Sequence, residues 1–577
     1  MKHREVVANF LFRWADGEKT QQQVALFQRS THPNVHSYQS KYAPISGSID
    51  DGDQSPEAAA VREIREETQL LAHQDLVLEF CGKSFSFSDE QAQRSWTVHP
   101  FGWILKVDES KIQIDWEHSG WKWFDPQEVL DGSMTDQCVP NIHKSLQRVY
   151  FGPKGIFKSS DRLIDQSNPA GAAFLQTIQE LKANTRDGAR VLATEALQGL
   201  LRIAECFQIV PNEDQQQSSK YWHALRVAAY HLIYSGRPSM NAAISAAVLD
   251  ALKVMAGHVK DSRLDLQAAC DVLHRCIAER TSTSIKIAQA FTTFVAKDTV
   301  QSDAESQTNH NGQSPSDQVL DIITISSSST ILAALKQLIK DQNDESTVNL
   351  TIFESRPSCE GATLAASLIT SIEDSTMKPR LHIKIAPESH ISLLTTHNAI
   401  ILLGADRITS TGHTINKTGS TQLALAARTR GSKVVVLSEG DKIAKPRSDL
   451  LETYKRYIEK ADNASLSEDD RQEMSECVRK EAGHGNVERH DANEVCDAWS
   501  EEARVTLLPY VNGEGKEGRA TNVRVGVEVE NVYFETVDEA LIDHYISEKG
   551  EVSKDRILRE SVERARLEDE LFGDLYD

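Results

Sequence analysis

The chain has 577 residues, a formal net charge of −22 at pH 7 and a pI near 5.4. This length predicts two to four domains, because a single hydrophobic core stops growing well below it. The acidic balance excludes binding to a nucleic-acid phosphate backbone as the main activity. The 8 cysteines form no C-x-x-C pair, which argues against a zinc site or a disulfide framework. No apolar run has the length of a membrane span, and we expect a cytoplasmic protein.

Apolar stretches in the first part of the chain predict an N-terminal sheet. The predicted strands are 6–12, 24–27, 96–103 and 121–124. A further strand over 45–50 runs into a glycine loop. Ser55 and Pro56 then predict a helix start, with serine as the cap and proline at the first helical position.

The most informative residues lie on this helix, where Glu63, Glu66 and Glu67 share one face at spacing i, i+3 and i+4. Three such carboxylates repel one another unless a cation lies between them. Hard oxygen ligands of this kind suit Mg²⁺ or Mn²⁺, and these metals usually bridge to phosphate oxygens. The alternative is a solvated acidic helix whose charges are balanced by Arg62 and Arg65.

The order of strand, glycine loop, capped helix and carboxylate face resembles the Nudix hydrolase signature, within a domain that we place at 1–155. The resemblance implies an α/β/α sandwich that hydrolyses a nucleoside diphosphate linked to another moiety, or a related diphosphate. It implies Glu66 and Glu67 as catalytic residues. The implied Mg²⁺ or Mn²⁺ site consists of Glu63, Glu66, Glu67 and Gly47.

Three positions depart from the Nudix pattern. Ser48 stands where the family usually has a second glycine, Gln54 where it has a glutamate, and Gln69 where it has the closing glycine. The carboxylate face itself is retained. Glu117, in a late strand, is a further candidate for metal or water, and a surface acid on an edge strand is the alternative.

The rest of the chain divides by composition. Helical periodicity over 171–297 predicts a helical domain, and the polar segment 298–318 predicts a flexible linker. Over 319–550, β-rich runs alternate with helices, which predicts a doubly wound, Rossmann-like parallel sheet. We expect a charged insertion at about 443–525, and a charged amphipathic helix over 551–577 at the surface or in a dimer contact.

Individual elements of the Rossmann-like region can also be predicted from these runs. The predicted strands are 320–324, 348–353, 381–385, 399–403 and 434–437, with helices near 330–341 and 361–371. Ligands bind at the carboxyl ends of such strands. Asp406 follows one of them, as an acid/base group would, although a cap or turn aspartate is the alternative. Asn416 and Lys417 precede a helix that begins near Thr421, whose amino terminus is a candidate anion site.

This region resembles the family of the initiation factor 2B regulatory subunits and the isomerases of ribose 1,5-bisphosphate and methylthioribose 1-phosphate. The resemblance covers most of the chain from about Gly171, apart from the linker and the insertion. It is carried by the segments 186–190, 236–238, 353–357, 416–417, 531–536 and 546–550.

The isomerase branch of the family implies a catalytic role for Asp406 and a set of substrate contacts. The implied contacts are Arg186, Gly188, Arg190, Arg237, Arg356, Asn416, Lys417, Gly419 and Lys442. A bisphosphate needs cations at both ends, and several of these residues would supply them. No cofactor is expected at this site.

Ser326 stands at the position of the isomerases' catalytic cysteine, and it is our candidate catalytic residue there. A serine hydroxyl is a far weaker acid than a thiol and cannot be a resting base near neutral pH. We therefore expect phosphosugar binding with weak isomerase turnover. The alternative role for Ser326 is a hydroxyl that hydrogen-bonds a phosphate.

The two resemblances together predict a Nudix-type diphosphate hydrolase fused to a phosphosugar-binding, isomerase-like domain. Hydrolysis of a phosphoribosyl diphosphate would leave ribose 1,5-bisphosphate, a ligand of the second domain's class. The alternative is a regulatory or scaffold protein, like initiation factor 2B subunits, that binds a sugar phosphate, a nucleotide or a translation partner without catalysis. We expect a homodimer formed through the Rossmann-like domain.

Overall fold

The computed structural model describes most of the chain. The described residues are 2–17, 21–35, 37–53, 55–90, 93–152, 169–184, 187–207, 215–237, 240–260, 263–306, 319–342, 346–372, 380–482, 490–508, 511 and 527–576. Of the predicted site residues, Arg186 lies outside this set, as does Gln54. Within the described residues, no helix is both long and apolar enough to cross a bilayer.

The N-terminal domain is an eight-stranded sheet with helices on both faces. Its strands are β1 Lys2–Trp14, β2 Gln22–Arg29, β3 Tyr42–Ala43, β4 Ile45–Ser48, β5 Leu76–Cys81, β6 Phe85–Asp89, β7 Arg94–Leu105 and β8 His118–Phe124. Its helices are α1 Pro56–Thr68, α2 Pro126–Leu130 and α3 Ile142–Leu146. Strand β1 pairs antiparallel with β2 and β4 and parallel with β7. This α/β/α sandwich is the predicted fold.

The helices of the second domain pack on the N-terminal sheet through one continuous apolar core. They are α4 Pro169–Ala183, α5 Ala189–Glu205, α6 Gln215–His231, α7 Asn241–Ala256 and α8 Leu266–Ser306. A short hairpin, β9 Val259–Lys260 with β10 Arg263–Leu264, lies between α7 and α8. Phe80 of the sheet stacks with Phe174 of α4 at 6.1 Å between ring centroids. The two domains therefore share buried surface.

The third domain is a doubly wound sheet, as predicted. Its main strands lie in the order β13 Arg380–Ala386, β12 Thr347–Phe353, β11 Val319–Ile325, β14 Ile400–Leu403, β17 Lys433–Leu437, β19 His544–Ser547 and β20 Gly550–Val552. All pairs are parallel except β19 with β20. The order reverses between β11 and β14, which opens a crevice at their carboxyl ends.

Helices cover both faces of this sheet. They are α9 Ser329–Asp341, α10 Glu360–Ile372, α11 Ile391–Leu394, α12 Ser420–Arg430 and, at the end of the chain, α17 Lys554–Phe572. Apolar residues of α8, α9 and α10 fill one face, and those of α11, α12 and α17 fill the other. A small antiparallel sheet lies at the crevice and comprises β15 Arg407–Ile408, β16 Thr414–Lys417 and β18 Phe534–Val537.

The region predicted as a charged insertion, 443–525, contains packed helices. They are α13 Leu451–Asp462, α14 Glu468–Ala482, α15 Ala492–Cys496 and α16 Glu501–Leu507. Tyr454 is fully buried and packs with Leu558 of α17. Glu481 of α14 is also buried and accepts a hydrogen bond from Thr411 Oγ1 at 3.1 Å. Part of the insertion thus braces the loop between β15 and β16.

One boundary differs from the prediction. Helix α8 continues to Ser306, through the first part of the segment predicted as a linker from 298. The remainder, 307–318, lies outside the described residues. The terminal helix α17, predicted as a charged amphipathic helix at the surface or in a dimer contact, buries its apolar residues Leu571 and Phe572 within the same chain.

Candidate functional site

Helix α1 begins and ends as its sequence predicts. Ser55 Oγ accepts a hydrogen bond from the Ala58 N–H at 3.1 Å, and Pro56 occupies the first turn. At the other end, Gln69 adopts φ +59°. Glycine takes this left-handed conformation at lower cost, so Gln69 fills a position built for the family's closing glycine.

Glu63 lies directly against the loop at Gly47. A Cβ atom added at Gly47 would be 2.0 Å from the Glu63 carboxyl, so a larger residue there would displace this side chain. Burial raises the pKa of Glu63, although the neighbouring Arg62 guanidinium opposes this shift. The structure thus brings together two of the four predicted metal-site residues.

Arg62 occupies the space between two of the acidic side chains on α1. Its Nη1 lies 2.7 Å from Glu63 Oε1 and 3.1 Å from Glu66 Oε2, and its Nη2 lies 2.8 Å from Asp53 Oδ2. The Glu66 side chain is 58% exposed. Arg62 therefore supplies part of the positive charge that the carboxylate face was expected to obtain from a metal ion.

Glu67 points inward, to a histidine that the sequence analysis did not identify. Its Oε2 lies 2.5 Å from His118 Nε2, and both side chains are buried. Burial raises the pKa of Glu67 well above its usual value, and the charges of Glu63 and Glu117 add to this effect. Burial lowers the pKa of His118 to about 4. The available sequence signal was its place directly after Glu117, at the start of β8.

The side chains around Glu67 carry carboxylate oxygens, which are suitable ligands for a hard divalent cation. Glu67 Oε1 is buried and has no hydrogen-bond partner in the structure. Burial and the charge of Asp115 raise the pKa of Glu117, and a cation would relieve this repulsion. However, no three His, Cys, Asp or Glu side chains of the described residues are grouped as they would be around a metal ion. Glu63 and Glu67 are the residues that would hold one.

A cavity of about 350 Å³ opens beside Glu63. Its charged and aromatic lining residues are Arg4, Arg29, Arg94, Glu63, Glu117, Tyr38, Phe87 and Trp96. The rings of Phe87 and Trp96 stack at 5.2 Å. The three guanidinium groups suit phosphate oxygens, and the aromatic wall offers a face to a planar group.

The second candidate site lies at the crevice between β11 and β14. Asp406 follows β14, and its backbone N–H donates to Ile415 of the adjoining hairpin at 2.9 Å. Burial raises the pKa of Asp406, although the charges of Lys442 and Lys417 oppose the shift. Lys442 Nζ donates to the Ala405 carbonyl at 2.6 Å. These predicted residues therefore converge at one rim of the sheet.

Glu439, which the sequence analysis missed, holds Lys442 in place. Its Oε2 lies 3.0 Å from Lys442 Nζ, and its Oε1 accepts from Thr330 Oγ1 at 2.7 Å. Burial disfavours the charge on Lys442, but Glu439 and Asp406 outweigh it and raise the lysine pKa. Arg190 reaches this pair from the helical domain, with Nε 3.9 Å from Glu439 Oε1. A strand-end position after β17 was the signal for Glu439.

Glu360, the first residue of α10, links two predicted residues and was also missed. Its Oε2 accepts a hydrogen bond from Ser326 Oγ at 2.5 Å, and its Oε1 lies 3.0 Å from Lys417 Nζ. Ser326 adopts φ +66°, an unusual conformation for a residue with a Cβ atom. Lys417 also lies 4.7 Å from the centroid of the Tyr533 ring. An acid at a helix start is common, so Glu360 gave no distinct signal.

The amino terminus of α12, predicted as an anion site, already binds a carboxylate of the chain. Glu535 Oε1 accepts hydrogen bonds from the N–H groups of Gly419 and Thr421 at 2.7 and 2.8 Å. The register of β16 with β18 pairs Asn416 with Glu535, which fixes this carboxylate there. Asn416 itself donates from Nδ2 to Ser420 Oγ at 2.9 Å.

The remaining predicted contacts are more scattered. Gly188 precedes α5, beside the Asn184 loop, and Arg237 Nη1 donates to the Asn184 carbonyl at 2.5 Å. The Arg356 side chain is 59% exposed and pairs with Glu354 at 3.0 Å. Among the described residues, Arg237 therefore contacts Asn184, just after α4 and four residues before Gly188.

Comparisons with known proteins identify two regions. The Initiation factor 2 subunit family matches residues 185–554, and the NUDIX domain matches residues 4–142. No curated protein matches the chain.

Solved structures give weak overall similarity. Translation initiation factor eIF-2B from Pyrococcus horikoshii OT3 is 18% identical, covers 66% of this chain and 96% of its own, and has a TM-score of 0.37. 5-Methylthioribose 1-phosphate isomerase from the same organism is 14% identical, with coverages of 68% and 87% and a TM-score of 0.39. The tetrameric eIF2B-beta2-delta2 complex from C. thermophilum is 12% identical, with coverages of 70% and 98% and a TM-score of 0.40.

Proposed function

Because the chain belongs to the initiation factor 2 subunit family and carries a Nudix domain, we propose that it hydrolyses a diphosphate at one site and binds a phosphorylated ribose at the other. The observation that carries the first activity is the cavity beside Glu63. It combines carboxylates with three arginines, as a site for a diphosphate and a divalent cation requires. A phosphoribosyl diphosphate or a nucleoside diphosphate derivative is the proposed substrate.

In this proposal the arginines hold the substrate phosphates. Glu63 and Glu67 would hold Mg²⁺ or Mn²⁺, which would supply Lewis-acid polarisation of the phosphate oxygens when bound. His118 keeps Glu67 in its orientation through the 2.5 Å contact. Glu117 lines the cavity and takes the proton of the attacking water, while the phosphoanhydride P–O bond breaks.

The test is phosphate release from a panel of diphosphates with Mg²⁺. Glu63→Gln and Glu117→Gln should each reduce turnover, because one removes a cation ligand and the other a proton acceptor. Glu128→Gln is the matched control, since Glu128 is exposed on α2 and does not line the cavity. Unchanged turnover in both site variants would refute the assignment.

Binding of a phosphorylated ribose is the second proposed function. It is supported by the convergence of Lys417 and Lys442 on Asp406, with Arg190 reaching across from the helical domain. Burial raises the pKa of Asp406 and so disfavours its charged form, which favours a phosphate as the partner of these cations. Ribose 1,5-bisphosphate should raise the melting temperature, and inorganic phosphate should do so only weakly. No shift with either would favour a regulatory or scaffold role with a translation partner.

We further propose a homodimer formed through the Rossmann-like domain. Leu393 of α11 and Leu425 of α12 are 74% and 51% exposed on helices that contact one another. Exposed apolar residues on neighbouring elements are typical of interaction surfaces. Light scattering should give twice the chain mass, and Leu393→Ser should shift it towards the monomer.

A further inference from the structure

The serine at the isomerase-like site has a carboxylate partner. Ser326 Oγ donates to Glu360 Oε2 at 2.5 Å, and the other oxygen of this carboxylate lies 3.0 Å from Lys417 Nζ. The Glu360 side chain is 30% exposed, so it remains open to the crevice. Two donors, Ser326 and Lys417, thus orient the Glu360 carboxylate beside Ser326, the residue that stands at the position of the isomerases' catalytic cysteine.

The sheet topology places Ser326, Glu360 and Asp406 at the same edge of the sheet. Ser326 follows β11, Glu360 comes after the neighbouring strand β12, and Asp406 follows β14 on the other side of β11. The three groups therefore come from the ends of three adjacent parallel strands, at the place where the strand order reverses. Glu360 and Lys417 are near enough to Asp406 to influence its ionisation. This crevice is where open α/β sheets bind their ligands.

We propose that Glu360 is the general base of an aldose–ketose isomerisation at this site and that Asp406 is the acid. The proposal rests on the phosphorylated-ribose binding proposed above. Lys417 Nζ holds one oxygen of the Glu360 carboxylate at 3.0 Å, and the Ser326 hydroxyl holds the other. Ser326 is thereby a positioning residue, and Glu360 supplies the base that a serine cannot be.

The chemistry balances for a ribose 1-phosphate unit. Asp406 gives its proton to the ring oxygen as the bond between C1 and that oxygen breaks. Glu360 takes the proton from C2, and the electrons of that C–H bond form the C1=C2 double bond. Glu360 then returns the proton to C1, while the 2-hydroxyl gives its proton to Asp406 and becomes the C2 ketone. Both residues end in their starting states.

A cysteine next to Glu360 is the competing base. Cys359 is a free thiol, and its Sγ lies 3.5 Å from the Pro357 carbonyl oxygen, within its own turn. A thiol base at this position would make Cys359 essential and Glu360 dispensable. The carboxylate proposal requires the reverse, so the two variants separate the alternatives.

The test uses the full chain with ribose 1,5-bisphosphate and measures two quantities, the melting temperature and the formation of the ketose bisphosphate. Glu360→Gln should retain the ligand-induced melting shift and lose turnover by at least 100-fold, within the range for an acid–base group. Glu360→Asp, which keeps the charge but shortens the side chain, should retain part of the turnover. Cys359→Ser should leave both quantities unchanged.

Other outcomes overturn the proposal in distinguishable ways. Full turnover in Glu360→Gln, or its loss in Cys359→Ser, would refute Glu360 as the base while leaving the binding site intact. A wild-type melting shift without any ketose product would refute isomerisation alone. If the ligand shifts the melting temperature of no variant and no product forms, the phosphorylated-ribose site and the base assignment both fail.

Discussion

The two candidate sites are built in opposite ways. The first takes all but one of its carboxylates from positions 63–67 of one helix, with Glu117 joining them from the position just before β8. The second joins residues between Arg190 and Lys442 that come from separate strands and helices. In the first, the carboxylates of one helical face have different partners: Glu63 pairs with Arg62, and Glu67 contacts His118. In the second, each central lysine has a carboxylate partner. Spacing in the sequence thus identifies charged residues but not their partners.

The largest effect is expected at the first site. Glu67→Gln should abolish most of the hydrolysis, because it removes the buried carboxylate oxygen that would hold the cation. The measurement is Mg²⁺-dependent phosphate release, with Mn²⁺ affinity as a second readout. The exposed Glu128→Gln is the control for general effects of losing a carboxylate. Turnover equal to that of the control would show that the first site does not depend on its inward-facing carboxylate.

At the second site, Lys417→Ala should weaken ribose 1,5-bisphosphate binding by about 1.5–3 kcal/mol, the range for hydrogen bonds to charged groups. Calorimetric titration measures this change. Lys455→Ala, on the outer helix α13, is the matched control because Lys455 pairs only with Glu452 at the surface of the described structure. Equal affinities in the two variants would remove Lys417 from the ligand contacts.

The stability of the contact between the N-terminal sheet and the helical domain should depend on pH through His231. This residue is fully buried. Burial and the charge of Lys182 lower its pKa to about 3 in the folded chain. The unfolded chain binds a proton near pH 6.5, so stability present above that pH is lost as the pH falls towards 3. Between pH 7 and pH 5 we expect a loss of about 2 kcal/mol from this residue.

Denaturant unfolding at pH 7 and pH 5 measures this loss. His231→Gln should show a smaller difference between the two pH values than the wild type. His274→Gln is the control, because the His274 side chain is 62% exposed. If His231→Gln keeps the whole pH dependence of the wild type, the buried histidine is not its source.

The smallest effect is expected at the end of α1. Gln69→Gly should raise the free energy of unfolding by about 0.5–1 kcal/mol, since relief of the left-handed conformation exceeds the added flexibility of glycine. Gln147→Gly is the matched control, because Gln147 follows α3 at φ −59° and should lose stability instead. Stabilisation of both variants, or of neither, would contradict this account.

Much of the fold follows from local patterns. The strand runs of the Rossmann-like region and the Ser55 cap match the structure because alternation and capping act over a few residues. The partners of the charged side chains do not follow from local patterns. Glu535 reaches the start of α12 because of the register between β16 and β18, and no local pattern records that pairing.

The insertion at 443–525 also has packing partners that no local sequence pattern predicts. Its charged composition suggested an irregular segment with some helix near 447–482, and α13 and α14 lie there. Tyr454 and Glu481 of these helices are buried against α17 and the hairpin that follows Asp406. A few buried residues are sufficient to dock a charged helix, and their partners lie far away in the sequence. The charged composition of this region is evident from the sequence, whereas the packing of its helices against the rest of the domain is not.

The most direct test of the account is a phosphorus NMR time course of the full chain with 5-phosphoribosyl 1-diphosphate and Mg²⁺. The account predicts release of inorganic phosphate with appearance of ribose 1,5-bisphosphate, which accumulates in Glu360→Gln and converts to a ketose in the wild type. An unchanged diphosphate spectrum, together with no melting shift on addition of ribose 1,5-bisphosphate, would contradict it.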